Sequence, residues 1–432
     1  MKKYSSWGTI VKPKFIKEVK NVNVNIFNSD NNTFLAYGKG RSYGDVCLNS
    51  KGNIVNTQNL NKIVDINQKE GVLTVESGVT IKEILSKITK DKYFLPVVPG
   101  TQNVTIGGAI ANDIHGKNHH KRGSFGNFII SLKLLRSNGE ILQCSEIENK
   151  DLFYATIGGL GLTGIILSAS IKLLKIESNY IDGEIKRFSS LKEFWKLNTD
   201  FENKYEYSVG WIDLQSKKEF NVRGVFICGN HSNKAIDIKK NRNVAITFPF
   251  IPPFSFVNNF SLKLLNHFYF NIQKDRNFQS QHFRKFFFPL DTINYWNRAY
   301  GKKGFFQYQF VIPKENSDKT LNEIFQVIKG GNQTAALGVI KTFGSIKSKG
   351  IISFPREGVT VALDFQNKGE NTLELFEKLD KIVLTHEGAL YPAKDFRMPK
   401  EVFEKSFKDY DKFSKFIDPK FNSDFITRVL DH

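Results

Sequence analysis

Three glycine-rich clusters in the first 170 residues constrain the fold of this 432-residue chain more than any other feature of its sequence. Each cluster stands next to a short strand-like run; they are YGKGRSYGD (37–45), VPGTQNVTIGGAIANDIHG (98–116) and IGGLGLTG (157–164). Glycine permits a positive φ angle and a close approach of the backbone to a ligand, so that successive N–H groups can cradle phosphate oxygens. The clusters therefore predict a domain that holds a phosphate-bearing ligand in its loops.

Neither of the common glycine-rich phosphate motifs fits these clusters. GKGRSYG has the wrong glycine spacing for a Rossmann fingerprint, and no cluster opens a strand–turn–helix unit with an acidic residue about 20 positions further on. A P-loop would need a Gly-Lys-Ser/Thr end at a fixed spacing, which no cluster has. We therefore expect a dinucleotide held by the loops of another fold.

The runs between the clusters predict short strands and one amphipathic helix. GNIVNT, NKIVDI and GVLTVESG are β-branched and bounded by turn residues, and IILSASIKLLKI reads as a further strand. TIKEILSKITKD has its apolar residues on one helical face, with Thr80 placed as the cap. ISLKLLRSNGEILQC predicts a hairpin with Asn138 and Gly139 at its turn. The first domain is expected to end near Asn179.

From residue 179 to about 390, strand patterns alternate with helix patterns. Candidates are FFQYQFVIP, GVTVALDFQN and TLELFEKLDKIVLTHEG, which together predict an antiparallel sheet with helices on one side. Within this region, residues 246–272 are rich in Phe and broken by Pro. Two interpretations stay open for this segment: a mobile cover that touches a membrane or an isoprenoid tail, and an ordinary packed helix and loop.

Composition narrows the class of protein. Charged residues are 24% and hydrophobic residues 40% of the chain, as in ordinary globular proteins. No uninterrupted apolar run of about 18 residues predicts a membrane-spanning helix, and the first residues show no secretory signal. Cys47, Cys144 and Cys228 are few and far apart, which indicates a reducing compartment rather than a disulfide framework.

The net charge of +19 raises the question of a nucleic-acid partner. Lysine is scattered along the chain, and no zinc-finger spacing, basic helix or stacking sheet accompanies it, so we do not expect nucleic-acid binding. A solvated basic surface, an acidic membrane face and a phosphorylated substrate remain as explanations of the charge.

The glycine clusters also carry a family resemblance. GKGRSYGD, PVVPGTQNVTIGGAIANDIHGKNHHKRGSFGN and IGGLGLTGII resemble the vanillyl-alcohol-oxidase, or PCMH, type of FAD-binding domain, and most closely the decaprenylphosphoryl-β-D-ribose oxidase family. The likeness continues in order through YWNRAYGKKGFFQYQFVIP, VIKTFG, ISFP and LYPAKDFR. It implies an α+β fold with a two-part FAD-binding domain (1–178), a substrate or cap domain (179–390) and a C-terminal segment (391–432) that returns to the FAD domain.

The resemblance implies a function as well. It indicates a flavoprotein that oxidises the 2-hydroxyl of a polyprenyl-phosphoryl pentose to a keto sugar, the first half of an epimerisation for cell-envelope polysaccharide synthesis. A short-chain reductase partner would complete the epimerisation, and the place would be cytoplasmic, with a peripheral position at the inner face of an acidic membrane. The alternative is an aldonolactone or alditol oxidase that acts on a free sugar with oxygen. A basic binding protein without catalysis would leave the glycine clusters unexplained.

By the same resemblance, the glycine clusters and their neighbours supply the contacts to FAD. The implied cofactor residues are Gly38, Gly40, Arg41, Ser42, Tyr43, Gly44, Pro99, Gly100, Thr101, Thr105, Gly107, Gly108, Ala109, Asn112, Ile114, His115, Gly116, Asn118, Gly161, Thr163, Gly164, Ile165 and Tyr391. Many relatives carry a covalently linked histidine where this chain has Arg41, so non-covalent FAD is expected. The guanidinium fork of Arg41 suits a pyrophosphate, and an ordinary surface arginine is the alternative.

Three residues are the catalytic candidates. Lys394 and Tyr391 stand together in LYPAKDFR, and the resemblance brings both back to the flavin and substrate. A lysine there can stabilise reduced flavin, orient the sugar hydroxyl and, if burial lowers its pKa, act as base. His115 is placed near the isoalloxazine, whereas His119 and His120 are left between flavin contact and a solvated loop. The three histidines lack a Cys or carboxylate at ligand spacing, so no metal site is expected.

The substrate candidates lie mostly on strands. Gln307 and Gln309 alternate with aromatic residues, so both amides share one strand face, which suits sugar hydroxyls unless that face is open to water. The resemblance adds Lys341 as a substrate-side cation and Tyr43 near the flavin ring. Thr360 also belongs to this set; Thr360 and Ala362 stand where family members can have Asn and Cys. Two interpretations stay open for Trp211: it lines the same pocket, or it packs in the core.

Overall fold

The computed structural model describes residues 4–430, apart from 11–16, 28–31, 216–221, 235–244, 332 and 334. The N-terminal part contains ten strands, β1 to β10: Lys17–Val19, Phe34–Tyr37, Asn53–Asn56, Ile63–Asn67, Val72–Glu76, Tyr93–Phe94, Ile129–Leu135, Ile141–Ser145, Ile165–Lys172 and Leu174–Lys175. Its helices α1 to α4 are Ile81–Ile88, Ile106–Ala111, His119–Arg122 and Lys150–Thr156. These counts, like those that follow, cover only the described ranges.

The N-terminal strands form two main sheets. A parallel three-stranded sheet has the order β1-β3-β2, and an antiparallel five-stranded sheet has the order β4-β5-β9-β7-β8. The predicted strands 53–56, 63–67, 72–76 and 165–172 and the β7–β8 hairpin are all present. Helix α1 begins as predicted, because Thr80 and Glu83 form a reciprocal capping box.

The second part is built on one large sheet. Strands β11 to β20 are Tyr180–Phe188, Tyr207–Asp213, Arg223–His231, Ile246–Thr247, Arg276–His282, Ile293–Asn294, Phe305–Ile312, Gly338–Phe343, Gly358–Gln366 and Ala389–Leu390. Eight of them form an antiparallel sheet in the order β15-β11-β13-β12-β18-β19-β17-β20. Helices α5 to α12 are Leu191–Glu202, Asn259–Ile272, Phe283–Phe287, Ser317–Gly330, Glu370–Thr385, Lys400–Ser406, Tyr410–Ser414 and Asp424–Leu430.

One face of the eight-stranded sheet is covered by α5, α8 and α9. Their apolar faces, with Phe194, Ile324 and Leu379, join Phe306 and Phe310 of β17 in the largest core of the described residues. Because side chains alternate along a strand, the residues between Phe306 and Phe310 on the other side point away from these helices. The predicted α+β class, with an antiparallel sheet and helices on one side, is confirmed for these three helices.

Helix α6 departs from that prediction, because it packs on the opposite face of the sheet. Trp211 of β12 lies edge-on to Tyr269 of α6, with ring centroids 4.7 Å apart. The buried Asn266 side chain donates to Asp213 at 2.8 Å. Trp211 is thus a packing residue between sheet and helix, and the core interpretation of this tryptophan is the right one.

The predicted domain bounds cannot be read from the cores alone, since contacts cross them. Phe283 and Phe287 of α7 pack in the core of the N-terminal part. In the C-terminal segment, Phe421 pairs with Phe34 of β2. Residues 391–432 therefore contact the N-terminal part through the described residues, and the division at 178 and 390 stays a prediction.

Candidate active site

A cleft of about 580 Å³ lies between the glycine loops of the N-terminal part and the face of the large sheet that bears Gln307 and Gln309. This volume is in the usual range for cofactor and small-molecule sites. Most of the predicted residues line it: Gly38, Gly40, Arg41, Ser42, Tyr43, Pro99, Gly100, Thr101, Thr105, Gly107, Gly108, Asn112, Ile114, His115, Gly161, Gly164, Gln307, Gln309, Lys341, Thr360, Tyr391 and Lys394. All three glycine clusters, three strands of the large sheet and the segment after its last strand thus meet at one place.

Six predicted cofactor residues do not line the cleft. They are Gly44, Ala109, Gly116, Asn118, Thr163 and Ile165. Ala109 and Ile165 are fully buried in the cores. Thr163 shares a hydrogen bond with Thr156 at 3.0 Å, and the Asn118 side chain donates to the Pro96 carbonyl at 2.8 Å. These residues lie behind the ones that line the cleft, and their contact with a ligand stays a prediction.

Close approach of segments requires glycine at two points of the first loop. A Cβ on Gly38 would lie 2.3 Å from the Thr105 hydroxyl, so the first and second glycine loops touch there. A Cβ on Gly44 would lie 1.5 Å from the Asp395 carbonyl oxygen, where the C-terminal segment presses on the first loop. Glycine at these positions therefore brings three distant segments to one cleft.

His115 is held by the sheet face opposite it. Its Nε2 accepts from Gln309 Nε2 at 2.9 Å, and Gln309 Nε2 also lies 3.2 Å from the Thr360 hydroxyl. Burial, followed by the nearby charges of Lys341, His119 and Lys394, holds the pKa of His115 well below its usual value. The imidazole is therefore neutral, and its buried Nδ1 has no hydrogen-bond partner among the described residues.

Lys394 lies over the Tyr43 ring, with Nζ 3.8 Å from the ring centroid. Burial lowers the pKa of Lys394 to about 7, against an opposing effect of the carboxylate of Asp364. Asp364 is fully buried and accepts a hydrogen bond from the Gln307 side chain. Burial raises the pKa of Asp364 to about 7. Sequence reasoning missed Asp364, although its period-two spacing from Thr360 on β19 put it on the same strand face.

Lys341 is the second amine in the cleft. Its Nζ lies 3.4 Å from the Gly116 carbonyl oxygen, and burial lowers its pKa to about 8. It makes no ion pair with a carboxylate among the described residues. Lys117 next to it donates to the Phe286 carbonyl and has a pKa lowered to about 7 by burial and by Lys341. A cation held this way favours an anionic ligand.

Tyr391 lines the cleft without offering a base. Its hydroxyl donates to the Asn112 carbonyl at 2.8 Å, and its ring stacks on Phe354 with centroids 4.5 Å apart. Burial raises the pKa of this hydroxyl. Tyr391 therefore supplies a neutral aromatic wall beside His115, which is 5.4 Å away between ring centroids.

The two histidines after His115 are shielded from solvent to different degrees. His119 is 1% exposed, stacks at 4.2 Å on Phe343 and accepts at Nδ1 from the Gly344 N–H. Burial lowers its pKa to about 3. His120 is half-buried, with Nε2 3.3 Å from the Tyr205 carbonyl. Neither lines the cleft, burial contradicts a solvated loop for His119, and contact of either histidine with the flavin stays a prediction.

Arg41 lies inside the cleft and is not a surface arginine. Its guanidinium carbon is 4.1 Å from the centroid of a Trp7 ring, and its buried Nε has no partner among the described residues. Asp291 faces it from residues 290–296, a segment called the strap here, most of whose residues line the cleft. The same carboxylate accepts from Thr101 Oγ1 at 2.6 Å and Gln102 N at 2.8 Å. This strap ties the second part to the second glycine loop.

Further lining residues were outside the sequence prediction. They are Trp7, Ala36, Lys39, Val46, Cys47, Thr57, Ser77, Asn103, Val104, Ala111, Leu160, Ile166, Leu290, Asp291, Ile293, Asn294, Tyr295, Trp296, Leu337, Val339, Ala362 and Ala393. The resemblance had marked only Ala362 among these as a pocket position. Among residues 290–296, only Tyr295 and Trp296 belong to a stretch that the resemblance covers, and the fold alone brings the others to the cleft.

The cleft has the features that a dinucleotide requires. Unpartnered buried polar atoms line it at Arg41 Nε, Ser77 Oγ, Asn112 Oδ1 and His115 Nδ1. At Gly100 a Cβ would meet no atom within 4 Å, so the loop backbone is open to a ligand there. Helix α2 begins at Ile106 in the second loop, capped by Thr105. These residues fit FAD.

Comparison with known proteins agrees with this geometry. Residues 8–145 match the family model of the FAD binding domain. A decaprenylphosphoryl-beta-D-ribose oxidase of Mycolicibacterium smegmatis is 35% identical over 412 residues, which cover 91% of this chain and 88% of that protein. The chain belongs to the decaprenylphosphoryl-β-D-ribose oxidase family. It is therefore an FAD-dependent oxidoreductase, and the resemblance noted from the glycine clusters is confirmed.

Two lactone oxidases are similar to this chain over a shorter stretch. A putative D-arabinono-1,4-lactone oxidase of Neurospora crassa is 29% identical over 162 residues, 38% of this chain and 29% of that protein. The L-gulonolactone oxidase of Mus musculus is 26% identical over 160 residues, 37% of this chain and 36% of that protein. The chain spans about a third of the length of these lactone oxidases, so the likeness to them concerns only part of each molecule.

Proposed function

We propose that this chain uses FAD to oxidise the 2-hydroxyl of a polyprenyl-phosphoryl pentose to a keto sugar. One observation carries the proposal: the cleft joins a dinucleotide cradle to a sheet face with paired amides and to two buried amines of lowered pKa. Lys394 and Lys341 are the amines, and Gln307 and Gln309 are the amides. The similarity to the oxidase of M. smegmatis along nearly the whole chain supports the same substrate class.

Oxidation of a secondary alcohol removes a hydride from carbon and a proton from oxygen. Bound FAD supplies the hydride acceptor. Lys394 is the proton acceptor in this proposal, because a pKa of about 7 leaves much of the amine neutral near neutral pH. Gln307 and Gln309 orient the sugar hydroxyls, and Lys341 faces the phosphate. Thr360 and Ala362 form the wall of the sugar site in this proposal. They are smaller than the Asn and Cys that family members can have at these positions.

Non-covalent attachment of FAD is part of the proposal. Arg41 replaces the residue through which relatives form the covalent link, and a guanidinium does not form it. Heat precipitation of the purified holoprotein should release all flavin colour to the supernatant. Colour retained in the precipitate would contradict non-covalent binding.

The Phe-rich segment supports a peripheral place at an acidic membrane, where a lipid-linked substrate is available. On α6 and the loop before it, Phe254, Phe260 and Leu265 are 66%, 79% and 60% exposed. Lys263 and Lys274 are exposed beside them. Aromatic and basic side chains together suit an interface of anionic lipid. None of the helices in the described part of the chain is both long and apolar enough to cross a bilayer.

This apolar surface adjoins the cleft. Strand β14, at the start of the Phe-rich segment, pairs with β16, and Ile293 of β16 lines the cleft. Arg298 holds the same segment through the Phe248 carbonyl at 2.8 Å. A lipid tail that leaves the cleft would therefore emerge at the apolar surface.

Vesicle flotation tests the membrane proposal. Vesicles that contain phosphatidylglycerol should carry the protein to the top of the gradient, and replacement of Phe254 and Phe260 by Ser should reduce that fraction. Ile147, which is 97% exposed in the N-terminal part, gives a matched control as Ile147→Ser. Equal flotation of all three proteins would refute the assignment of this surface.

Anaerobic mixing of holoprotein with a polyprenyl-phosphoryl ribose tests the catalytic proposal. Bleaching of the flavin absorbance and a 2-keto sugar by mass spectrometry are expected. A free aldonolactone that bleaches the flavin while the lipid phosphate does not would favour the lactone-oxidase alternative. The keto product would then need a reductase, and we propose a short-chain dehydrogenase as that partner; addition of such an enzyme with NADH should give the epimer.

A further inference from the structure

Asp364 lies on β19, on the strand face whose residues Thr360 and Ala362 line the cleft. The backbone pairing of the sheet does not explain why a carboxylate stands at this position. Asp364 pairs across strands with Gln307, and Thr360 and Ala362 precede it on the same face. Its carboxylate is completely buried, and one oxygen accepts from the Gln307 side chain. The other oxygen, Oδ2, has no hydrogen-bond partner among the described residues. A carboxylate in this setting needs a nearby cation to remain ionised.

Lys394 is the cation that meets this need. The C-terminal segment brings it back over the first glycine loop, where the Tyr43 N–H donates to the Ala393 carbonyl at 2.8 Å. Its ammonium lies over the Tyr43 ring, and the charges of Asp364 and Lys394 act on each other. No residue of the first glycine loop supplies a carboxylate to the cleft in its place, since Asp45 pairs with Arg428 instead.

We propose that Asp364 is a positioning residue for the oxidation: its buried charge keeps the Lys394 amine oriented beside the substrate hydroxyl and stabilises the ammonium that forms when Lys394 takes the hydroxyl proton. In the step, the O–H bond of the substrate breaks as its C–H electrons leave as hydride, and a new N–H bond forms on Lys394. The positive charge that results is attracted by the buried carboxylate of Asp364. This role rests on the function proposed above for the choice of substrate.

The groups around Lys394 and Asp364 determine the pKa of each. Lys394 is faced by Tyr43, Asp364, Lys341 and His115, and Asp364 is faced by Gln307, Tyr43, Tyr300 and Lys394. Burial raises the pKa of Asp364 and lowers that of Lys394, so that both are about 7 and the two groups compete for a proton. Lys341 lowers the pKa of Lys394 further, whereas the Asp364 charge raises it.

Replacement Asp364→Asn isolates the charge, because the amide oxygen can still accept from Gln307. The proton affinity of Lys394 should fall by about tenfold or more, as expected for loss of an opposite charge close to an amine. Trace acetylation of the holoprotein across pH, read by mass spectrometry of the Lys394 peptide, measures this without substrate. Asp409→Asn is the control: it removes one negative charge from an exposed pair with Lys412.

The rate of flavin reduction by the substrate, measured across pH, is the second test. This rate should rise with pH as Lys394 loses its proton, and in Asp364→Asn that rise should move to lower pH together with the acetylation curve. Unchanged acetylation of Lys394 in Asp364→Asn would overturn the proposal. A shifted acetylation curve with an unshifted reduction profile would overturn the role in catalysis. Failure of every protein to reduce with the lipid phosphate, with the acetylation shift intact, would count against the proposed function instead.

A second variant covers the case in which Asp364→Asn fails to fold. Lys394→Met keeps an unbranched side chain and removes the charge that ionises Asp364. A carboxylic acid band that persists above pH 7 should then appear in the infrared difference spectrum and shift with deuteration. Absence of that band in folded Lys394→Met would overturn the pairing.

Discussion

Replacement of Lys341 by Met should affect stability and substrate binding in opposite directions. The Lys341 Nζ lies 3.4 Å from a backbone carbonyl, and burial lowers its pKa from 10.5 to about 8. The folded protein therefore holds this proton less tightly than the unfolded chain. Since the unfolded chain binds more protons between about pH 8 and 10.5, Lys341 makes the wild type gain stability as pH rises through that window. Lys341→Met should be more stable than wild type at pH 7 and lack this gain.

Binding of the phospho-sugar should weaken in the same variant. A hydrogen bond to a charged group contributes about 1.5–3 kcal/mol, and the lower end applies here because the Lys341 side chain is partly open to the cleft. About 1.5 kcal/mol corresponds to a roughly tenfold rise in Kd. Met fills nearly the same volume, so loss of packing adds little.

Two assays check these opposite effects. Urea unfolding of the apoprotein at pH 7 and pH 10 measures stability, and anaerobic flavin bleaching against the concentration of polyprenyl-phosphoryl ribose measures binding. Lys378→Met on the exposed side of α9 is the control, and it should change neither quantity. A Lys341→Met protein that binds the phospho-sugar as wild type does would refute the assignment of this lysine to the phosphate, whatever its stability.

Three further substitutions test the support of the cleft. Tyr391→Phe loses a hydrogen bond worth about 1 kcal/mol in urea unfolding, but the pH profile of flavin reduction should keep its shape, because the hydroxyl is neutral. Arg428→Met leaves the buried carboxylates of Asp45 and Asp395 without their shared cation and should cost about 3 kcal/mol by the same assay. Glu83→Ala breaks the capping box of α1, which should cost about 1 kcal/mol while the affinity for FAD, measured by fluorescence quenching, is unchanged.

Local sequence signals predicted much of the N-terminal part. The Thr80 cap, the turn at Asn138 and Gly139, and the short β-branched strands each depend on contacts within a few residues, and the structure has all of them. The glycine clusters predicted the cleft for a related reason: where two loops approach closely, only glycine fits, and this can be seen in the sequence. Gly38 against Thr105 is an example.

Contacts between distant segments left no such signature. The side of the sheet on which α6 packs depends on the Trp211–Tyr269 contact, and a tryptophan in a strand is equally compatible with a pocket. Asp291 bonds to the second glycine loop across about 190 positions of sequence, so no motif marks it as a cleft residue. His119 and His120 looked exposed beside basic neighbours, yet tertiary packing buries the first completely and half-buries the second.

The buried amines of the cleft indicate that it favours an anionic ligand. Lys341 and Lys394 face it, Lys117 lies just behind Lys341, and the lowered pKa of each reflects burial. Asp364 compensates Lys394 only, which leaves Lys341 to be compensated by the ligand. A free neutral sugar would leave that cost in place, whereas a phosphate on the sugar removes it. The cleft should therefore select a phosphorylated sugar over the same sugar without phosphate, and Lys341→Met should abolish most of that preference.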